Sequence, residues 1–334
     1  MTRISFDDLH AEMTRVLISL GFTPGRASLS ARLFAEASRD GVYSHGLNRF
    51  PRFVEFIQKG YVKIEAEPVQ TGNMGSLEQW DGRLGPGNLN AHFCMNRAMD
   101  LVKENGMGLV ALRQTNHWMR GGSYGWQAAE AGLIGICFTN TIPNMPAWGA
   151  KEPVLGNNPL IIALPWESGP IVLDTAMTQF SFGKIESYRR AGQQLPMPGG
   201  YDVNGNLTTD PAAIEESGRA LPFGFWKGSG LSLALDLVAA SLSAGLGTTQ
   251  IGKQAEDEYA LSQVFLAIDP LALGNEEHYE TLISQTLSAI HLAEPSVPGQ
   301  AVTYPGERTL RTRQDNLKRG VPVDEKYWKM VKEM

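Results

Sequence analysis

Two histidines and one arginine in this chain suit chemistry on a charged carbonyl compound. The first stretch is Ser44-His45-Gly46-Leu47-Asn48-Arg49. His45 and Arg49 stand four apart, so they share a face if a helix begins at Ser44. An imidazole titrates near neutral pH, and a guanidinium grips a carboxylate through two parallel hydrogen bonds. Together they fit a substrate with a carbonyl beside a carboxylate: Arg49 holds the carboxylate and His45 protonates the carbonyl oxygen. The plainer reading is a surface cation pair at a helix start. The second stretch is Asn116-His117-Trp118-Met119-Arg120-Gly121-Gly122. It follows an apolar run at 108–112 (GLVAL) that reads as a buried strand, and strand exits often carry active-site groups in sheets with parallel strands. His117 is therefore a second proton-donor candidate, set against a packed histidine in a glycine-rich turn.

Gly121-Gly122-Ser123-Tyr124-Gly125 matches the G-x-S-x-G pattern, which makes a serine hydrolase acting through Ser123 the rival reading. A nucleophile elbow needs a strand directly before its serine. Residues 113–120 intervene, so a helix-start serine fits better. Neither a complete G-x-G-x-x-G nor a G-x-x-x-x-G-K-[ST] occurs, which argues against a Rossmann fingerprint and a P-loop. Trp226-Lys227-Gly228-Ser229-Gly230 does put a cation and open backbone at a helix start, where free N–H groups suit a phosphate. The stretch IVLDTAMT (171–178) reads as strand, turn and helix entry, with Asp174 either accepting a ribose hydroxyl or capping the next helix. Tyr304-Pro305-Gly306-Glu307-Arg308 reads as an exposed, charged turn. The 6 histidines show neither metal-ligand spacing nor pairing with cysteine, so no metal is expected.

These residues need elements to hold them. Phe6, Leu9, Met13, Val16 and Leu17 recur at helical spacing, with Ser5 as cap and Gly21 as stop. Thr23-Pro24 opens a second helix to about Arg39, and a third covers about 47–58 with Pro51 in its first turn. Strands are expected at 68–71, 77–80, 108–112, 135–140, 160–164, 171–173 and 262–268. Helices are expected at 90–105, 123–131, 178–191, 231–243 (strongly apolar), 276–292, 309–319 and 324–332. A turn-rich excursion covers 193–213, with Asn204-Gly205 as a hairpin. A classical dinucleotide domain would open with an apolar strand and a glycine turn, and this chain opens all-helical. The pattern predicts a mixed α/β (α+β) fold with helical segments at both ends.

Composition narrows the class. A length of 334 residues suggests about two domains. With 43% apolar and 19% charged residues, disorder is excluded. A net charge of −6 argues against nucleic acid or an anionic membrane as the partner. Cys94 and Cys137 sit in apolar surroundings and read as buried free thiols in a reducing compartment. Asp7 and Asp8 stand where a secretory address would be basic, and no apolar run reaches the ~18 residues that span a bilayer. A cytoplasmic protein is expected.

The segments GVYSHGLNRFPRF (41–53), TNHWMRGGSYGWQAAEAG (115–132), GNNPLIIALP (156–165), LDTAMTQFSFGK (173–184) and PFGFWKGSGLSLALDL (222–237) together resemble the type-2 malate/L-lactate dehydrogenase family. The resemblance runs over nearly the whole chain. It implies NAD(P)-dependent hydride transfer to a 2-oxo acid on a mixed-sheet cofactor domain that is not a Rossmann fold. It implies a helical, substrate-side unit of 1–119 with 290–334, and an NADH-binding unit of 120–289. The implied reaction is reduction of 2,3-diketo-L-gulonate to 3-keto-L-gulonate, with a malate-, lactate- or ureidoglycolate-type substrate as the alternative. Carried over by position, His45 matches a proton donor, and His117 matches the proton-transfer histidine of wider relatives, so both remain candidates. Arg49 falls on a carboxylate partner, with Ser44 and His117 beside the substrate. The cofactor segments fall on Val172, Leu173, Asp174, Thr175, Ala176, Met177 and Thr178, on Trp226 and Lys227, and on Gly306, Glu307 and Arg308. Asn140 lies where wider relatives touch the cofactor. NADH is the implied cofactor, and Arg308, an added cation in the last segment, leaves NADPH open. The resemblance also implies a homodimer with the site near the subunit contact. A non-catalytic binding protein is the third class to be separated.

Overall fold

In the computed structural model, residues 2–254 and 257–334 are described. The N-terminal part runs β1 (Thr2–Ile4), α1 (Phe6–Ser19), α2 (Pro24–Arg39), two 3-10 turns (Tyr43–His45 and Leu47–Arg49) and α3 (Phe50–Gln58). The middle runs β2 (Val69–Met74), β3 (Leu77–Asp81), α4 (Gly87–Asn105), β4 (Met107–Thr115), α5 (Gly122–Glu130), β5 (Ile134–Thr139), β6 (Met145–Pro146), β7 (Pro153–Leu155), β8 (Leu160–Leu164), β9 (Ile171–Thr175), α6 (Phe182–Arg190), β10 (Gly200–Tyr201), β11 (Leu207–Thr208), α7 (Pro211–Ser217), α8 (Trp226–Ser243), α9 (Thr248–Gln254) and β12 (Leu261–Ile268). The end adds α10 (Glu276–Leu292), α11 (Glu307–Arg319), β13 (Val321–Val323) and α12 (Glu325–Glu333).

The mixed α/β fold follows the sequence pattern closely. Ser5 caps α1 by accepting the Asp8 N–H at 3.0 Å. The main sheet has seven strands in the order β2-β3-β4-β12-β5-β8-β9. Only β3 and β4 run parallel within it, and the remaining pairs are antiparallel. The strand-exit argument for His117 therefore cannot rest on a parallel sheet. Alternation along β4 and β12 sends Val110, Leu112 and Phe265 to one face, packed with α4 and α5 residues such as Cys94 and Trp126. Ala111 and Val264 go to the other face, against Ala239 of α8. A separate cluster joins α1, α2 and α3 to Val321 and Val323 of β13 and Val331 of α12, so both chain ends meet in one helical body. Among the described residues, no helix is long and apolar enough to cross a membrane.

Three local expectations change. His45 and Arg49 do not share one helix. Gly46, at φ −104° and ψ −123°, separates them onto two 3-10 turns. A Cβ at Gly46 would collide with Ser38 of α2, whose hydroxyl accepts the Leu47 N–H at 2.8 Å, so packing against α2 breaks the run. Helix α6 begins at Phe182, later than spacing suggests, with Ser181 as its cap. Asp174 caps nothing downstream. It lies inside β9, and its Oδ2 accepts the Gly122 N–H at the start of α5 at 2.9 Å.

One buried ionic cluster joins the parts. Asp40, at the C-terminal end of α2, is 3% exposed. Its carboxylate accepts from Arg39 at 2.8 Å, from Arg120 at 2.5 Å, and from Arg313 of α11 at 2.9 and 2.7 Å. The Arg313 guanidinium also lies 4.1 Å over the Trp126 ring. Burial alone would raise the Asp40 pKa, but bonds from Arg313 and Arg39 and the Arg120 charge bring it down to about 2. An Asp40→Ala variant leaves three guanidiniums without their anion. It is expected to lose about 3–5 kcal/mol in chemical denaturation. In the parent, the cluster's contribution is complete above about pH 4 and is lost as pH falls towards 2, so acid unfolding of the variant should be flatter over that window.

Candidate active site

A cleft of about 1590 Å³ opens between the helical body and the sheet. The 3-10 turns deliver Ser44, His45 and Arg49 to its wall, and the loop after β4 delivers His117. The two imidazoles stack with centroids 5.9 Å apart and planes at 23°. The three residues singled out by type and spacing thus converge, although sequence separates His45 from His117 by more than seventy positions.

The His117 loop is tightly fixed. Asn116 donates through its Nδ2 to the carbonyls of Tyr61, Leu84 and Gly85 at 3.0, 2.9 and 3.0 Å. A Cβ on Gly87 would collide with the carbonyl oxygens of Asn116 and His117, so only glycine lets α4 start this close to the loop. Met119 takes a left-handed φ of 66°. That turn brings its N–H to His117 Nδ1 at 3.0 Å. An Nδ1 that accepts leaves the ring proton on Nε2. His45 differs: its Nδ1 lies 2.9 Å from the Ser44 hydroxyl, which can donate or accept. Gly183 at the start of α6 has no room for a Cβ beside Ser44, so α6 backs this turn.

Electrostatics keep both rings neutral. Burial, then the charges of Arg49 and Arg120, lower the His45 pKa to about 4. Burial, then Arg49, His45 and Arg52, hold His117 well below the ordinary histidine value. The neutral-range donor expected from sequence is therefore not found among these rings, because the site is desolvated and cations crowd it. Arg49 is lowered to about 10 by burial and Arg52, with Glu258 opposing, and stays charged at neutral pH.

The expected cofactor residues divide in two. Val172, Leu173, Asp174, Ala176, Gly306 and Arg308 line the same cleft. Gly306, at φ 101°, packs so tightly on β9 that a Cβ would lie 2.9 Å from the Val172 nitrogen. Thr175, Met177, Thr178, Trp226, Lys227 and Glu307 are not on the cleft wall. Glu307 instead accepts from His291 and Arg311. Asn140 is buried: its Nδ2 donates to Asp236 at 2.9 Å and to the Leu246 carbonyl at 2.7 Å, and its Oδ1 accepts from Ser262 at 2.8 Å. Ser123 lies in the first turn of α5, off the cleft, with no strand directly before it. Sequence reasoning overlooked Glu258 and Asn144, which also line the cleft. Nothing in their surroundings marks them; only the folded chain brings them there.

Comparison with known proteins agrees with this architecture. The malate/L-lactate dehydrogenase family model matches residues 4–332. The chain is 44% identical to a 2,3-diketo-L-gulonate reductase of Escherichia coli over 330 residues, covering 98% of this chain and 99% of the relative. Its fold superposes on a malate dehydrogenase from Entamoeba histolytica with a TM-score of 0.94 at 25% identity, covering 99% and 96% of the two chains. A sulfolactate dehydrogenase from Methanocaldococcus jannaschii gives 0.89 at 29% identity, covering 99% and 96%. The chain belongs to the malate/L-lactate dehydrogenase family. It is an oxidoreductase acting on hydroxy or oxo acids.

The electrostatics give a direct test. In an NMR titration of the ligand-free protein, neither cleft imidazole should gain a proton at pH 6.5. His45 should titrate near 4, and His117 well below the ordinary histidine value. Arg49→Ala removes a cation beside both rings and should move both upward. A cleft histidine titrating near its ordinary value in the parent would contradict the arrangement.

Proposed function

We propose that the chain reduces the C2 ketone of 2,3-diketo-L-gulonate with NADH, and that His45 is the proton donor. The observation carrying the choice of histidine is the Met119 N–H on His117 Nδ1. Imidazolium needs a proton on both nitrogens, and His117 cannot take one on Nδ1 without facing another donor. His45 can, because the Ser44 hydroxyl is free to turn and accept.

Arg49 holds the substrate carboxylate and so fixes the position of the adjacent ketone. His117 offers its Nε2–H to the ketone oxygen. The arriving carboxylate adds negative charge beside His45 and raises its proton affinity from the low value set by burial and the arginines. A nicotinamide cofactor fits the wall opposite. The volume exceeds the roughly 300–1,000 Å³ of a single small-molecule site, and Gly306 keeps the β9 backbone open. The β9 residues with Gly306 and Arg308 would hold the cofactor, and Asp174 would take a ribose hydroxyl; Arg308 suits a phosphate, which keeps NADPH open beside NADH. When bound, the reduced nicotinamide supplies the hydride. The helical parts of 1–119 with 290–334 form the substrate side, and 120–289 the cofactor side. Cys94 and Cys137, buried and unpaired, support a cytoplasmic setting.

A homodimer is supported by α8, which is inside out. It turns Gly228, Ser229, Ser232, Leu235, Asp236 and Ala239 inward and leaves Leu231, Leu233, Leu237 and Val238 exposed, Leu237 at 56%. A helix apolar on its outer side calls for a covering surface, and a second copy supplies one.

His45→Ala should lower kcat about 10²–10⁴-fold while NADH still binds, as read by its fluorescence. Near-normal turnover would return the role to His117. Arg49→Ala should chiefly raise KM for 2-oxo acids. Leu237→Glu should shift the protein in light scattering from two chains to one. A parent that already runs as one chain would end the dimer proposal.

A further inference from the structure

One wall of the cleft carries acceptors that the mechanism above leaves unused. Glu258 is 9% exposed and faces the cleft. Its Oε2 accepts the Ile142 N–H at 3.0 Å, and Oε1 has no hydrogen bond among the described residues. Two positions along the same loop, Asn144 spends its Nδ2 on Asn157 Oδ1 at 2.9 Å, while its own Oδ1 is buried without a partner. The loop is pinned from behind, since the Thr141 N–H donates to Asn158 Oδ1 at 2.9 Å and Asn158 donates to Ser232 of α8. These acceptors are therefore held in place. The buried, unpaired Oδ1 of Asn144 costs free energy that a ligand donor restores, and Glu258 Oε1 is left to accept from the same ligand.

The chemistry of the missing donor is narrow. A carboxylate and a ketone oxygen only accept, so neither end of the reacting 2-oxo acid group satisfies this wall. Hydroxyl groups further along the substrate do. Burial pushes the Glu258 pKa up, and the Ile142 N–H with the Arg49 and Arg52 charges opposes this; once ionised, Glu258 meets a second carboxylate as a like charge.

We propose that Glu258, with Asn144, selects 2-oxo acids bearing hydroxyl groups beyond the reacting ketone and turns away dicarboxylic ones. The assignment rests on the reading that the cleft binds a 2-oxo acid through Arg49. It differs from a role as mere counter-charge to Arg49, which Glu258 also influences, because a counter-charge would act alike on every 2-oxo acid.

The test compares kcat/KM for 2,3-diketo-L-gulonate, pyruvate and oxaloacetate, followed by NADH absorbance. Glu258→Gln keeps an acceptor for the Ile142 N–H and drops the charge. The diketogulonate-to-pyruvate ratio should fall about tenfold or more, and the oxaloacetate-to-pyruvate ratio should rise. Asn144→Ala should lower the first ratio and leave the second unmoved. If both variants change all three substrates by one common factor, the selection role is overturned and the 2-oxo acid reading stands. If the parent reduces none of the three, that reading fails and takes this one with it.

Discussion

The carboxylate of Asp40 is the point through which this molecule holds its reacting groups at fixed distances. It is buried at the end of α2, three residues before the turn that carries His45. One of its guanidinium partners, Arg120, lies three residues after His117, and another, Arg313, comes from α11, the helix that starts beside Gly306. A single anion thus fastens the His45 turn, the His117 loop and the Gly306 corner together. A buried charge without partners is strongly unfavourable, so losing one member of this cluster destabilises the others. Arg120 also adds positive potential at His45. The same interaction therefore sets both geometry and proton affinity.

That potential explains the state of the cleft. Burial lowers the proton affinity of both imidazoles, and the charges of Arg49, with Arg120 at His45 and Arg52 at His117, lower it further. The cleft as a whole carries both signs of charge, with Asp174 and Glu258 on its wall, but the fixed charges acting on the two rings are those of arginines. In the proposed function a substrate carboxylate couples binding to protonation, because the group that neutralises Arg49 also makes His45 a better base. The backbone adds a second asymmetry. One N–H, that of Met119, separates two otherwise similar histidines into one that is confined to a single neutral tautomer and one that is free to change charge.

Helix α8 shows how polarity can point inward when hydrogen bonds are complete. Asp236 accepts from Asn140 and from the Thr248 N–H, and Ser232 bonds with Asn158 and the Gly156 carbonyl. These bonds fix the loops behind the cleft wall, including the one bearing Asn144. Leu235 is buried with these polar residues, while Leu231, Leu233 and Leu237 are left for the outside. A helix that reads as core by composition is here a scaffold on one face and an uncovered apolar surface on the other.

Much of this was legible in the chain. Local rules placed the elements well: Ser5, Thr23-Pro24, Asn204-Gly205 and the alternating apolar strands gave boundaries because caps, turns and periodicity act over a few residues. Residue chemistry singled out His45, Arg49 and His117, since few side chains combine proton transfer with a grip on a carboxylate. What the chain could not display was anything set by distant contact. The break at Gly46 comes from Ser38, the bond of Asp174 to Gly122 joins positions far apart, and the antiparallel order of the sheet follows from long-range pairing. Proton affinities belong to the same class, because they depend on burial and on charges that meet only in space. Glu258 and Asn144 carried no local mark for that reason: sequence supplied their functional groups, and folding alone brought them to the cleft.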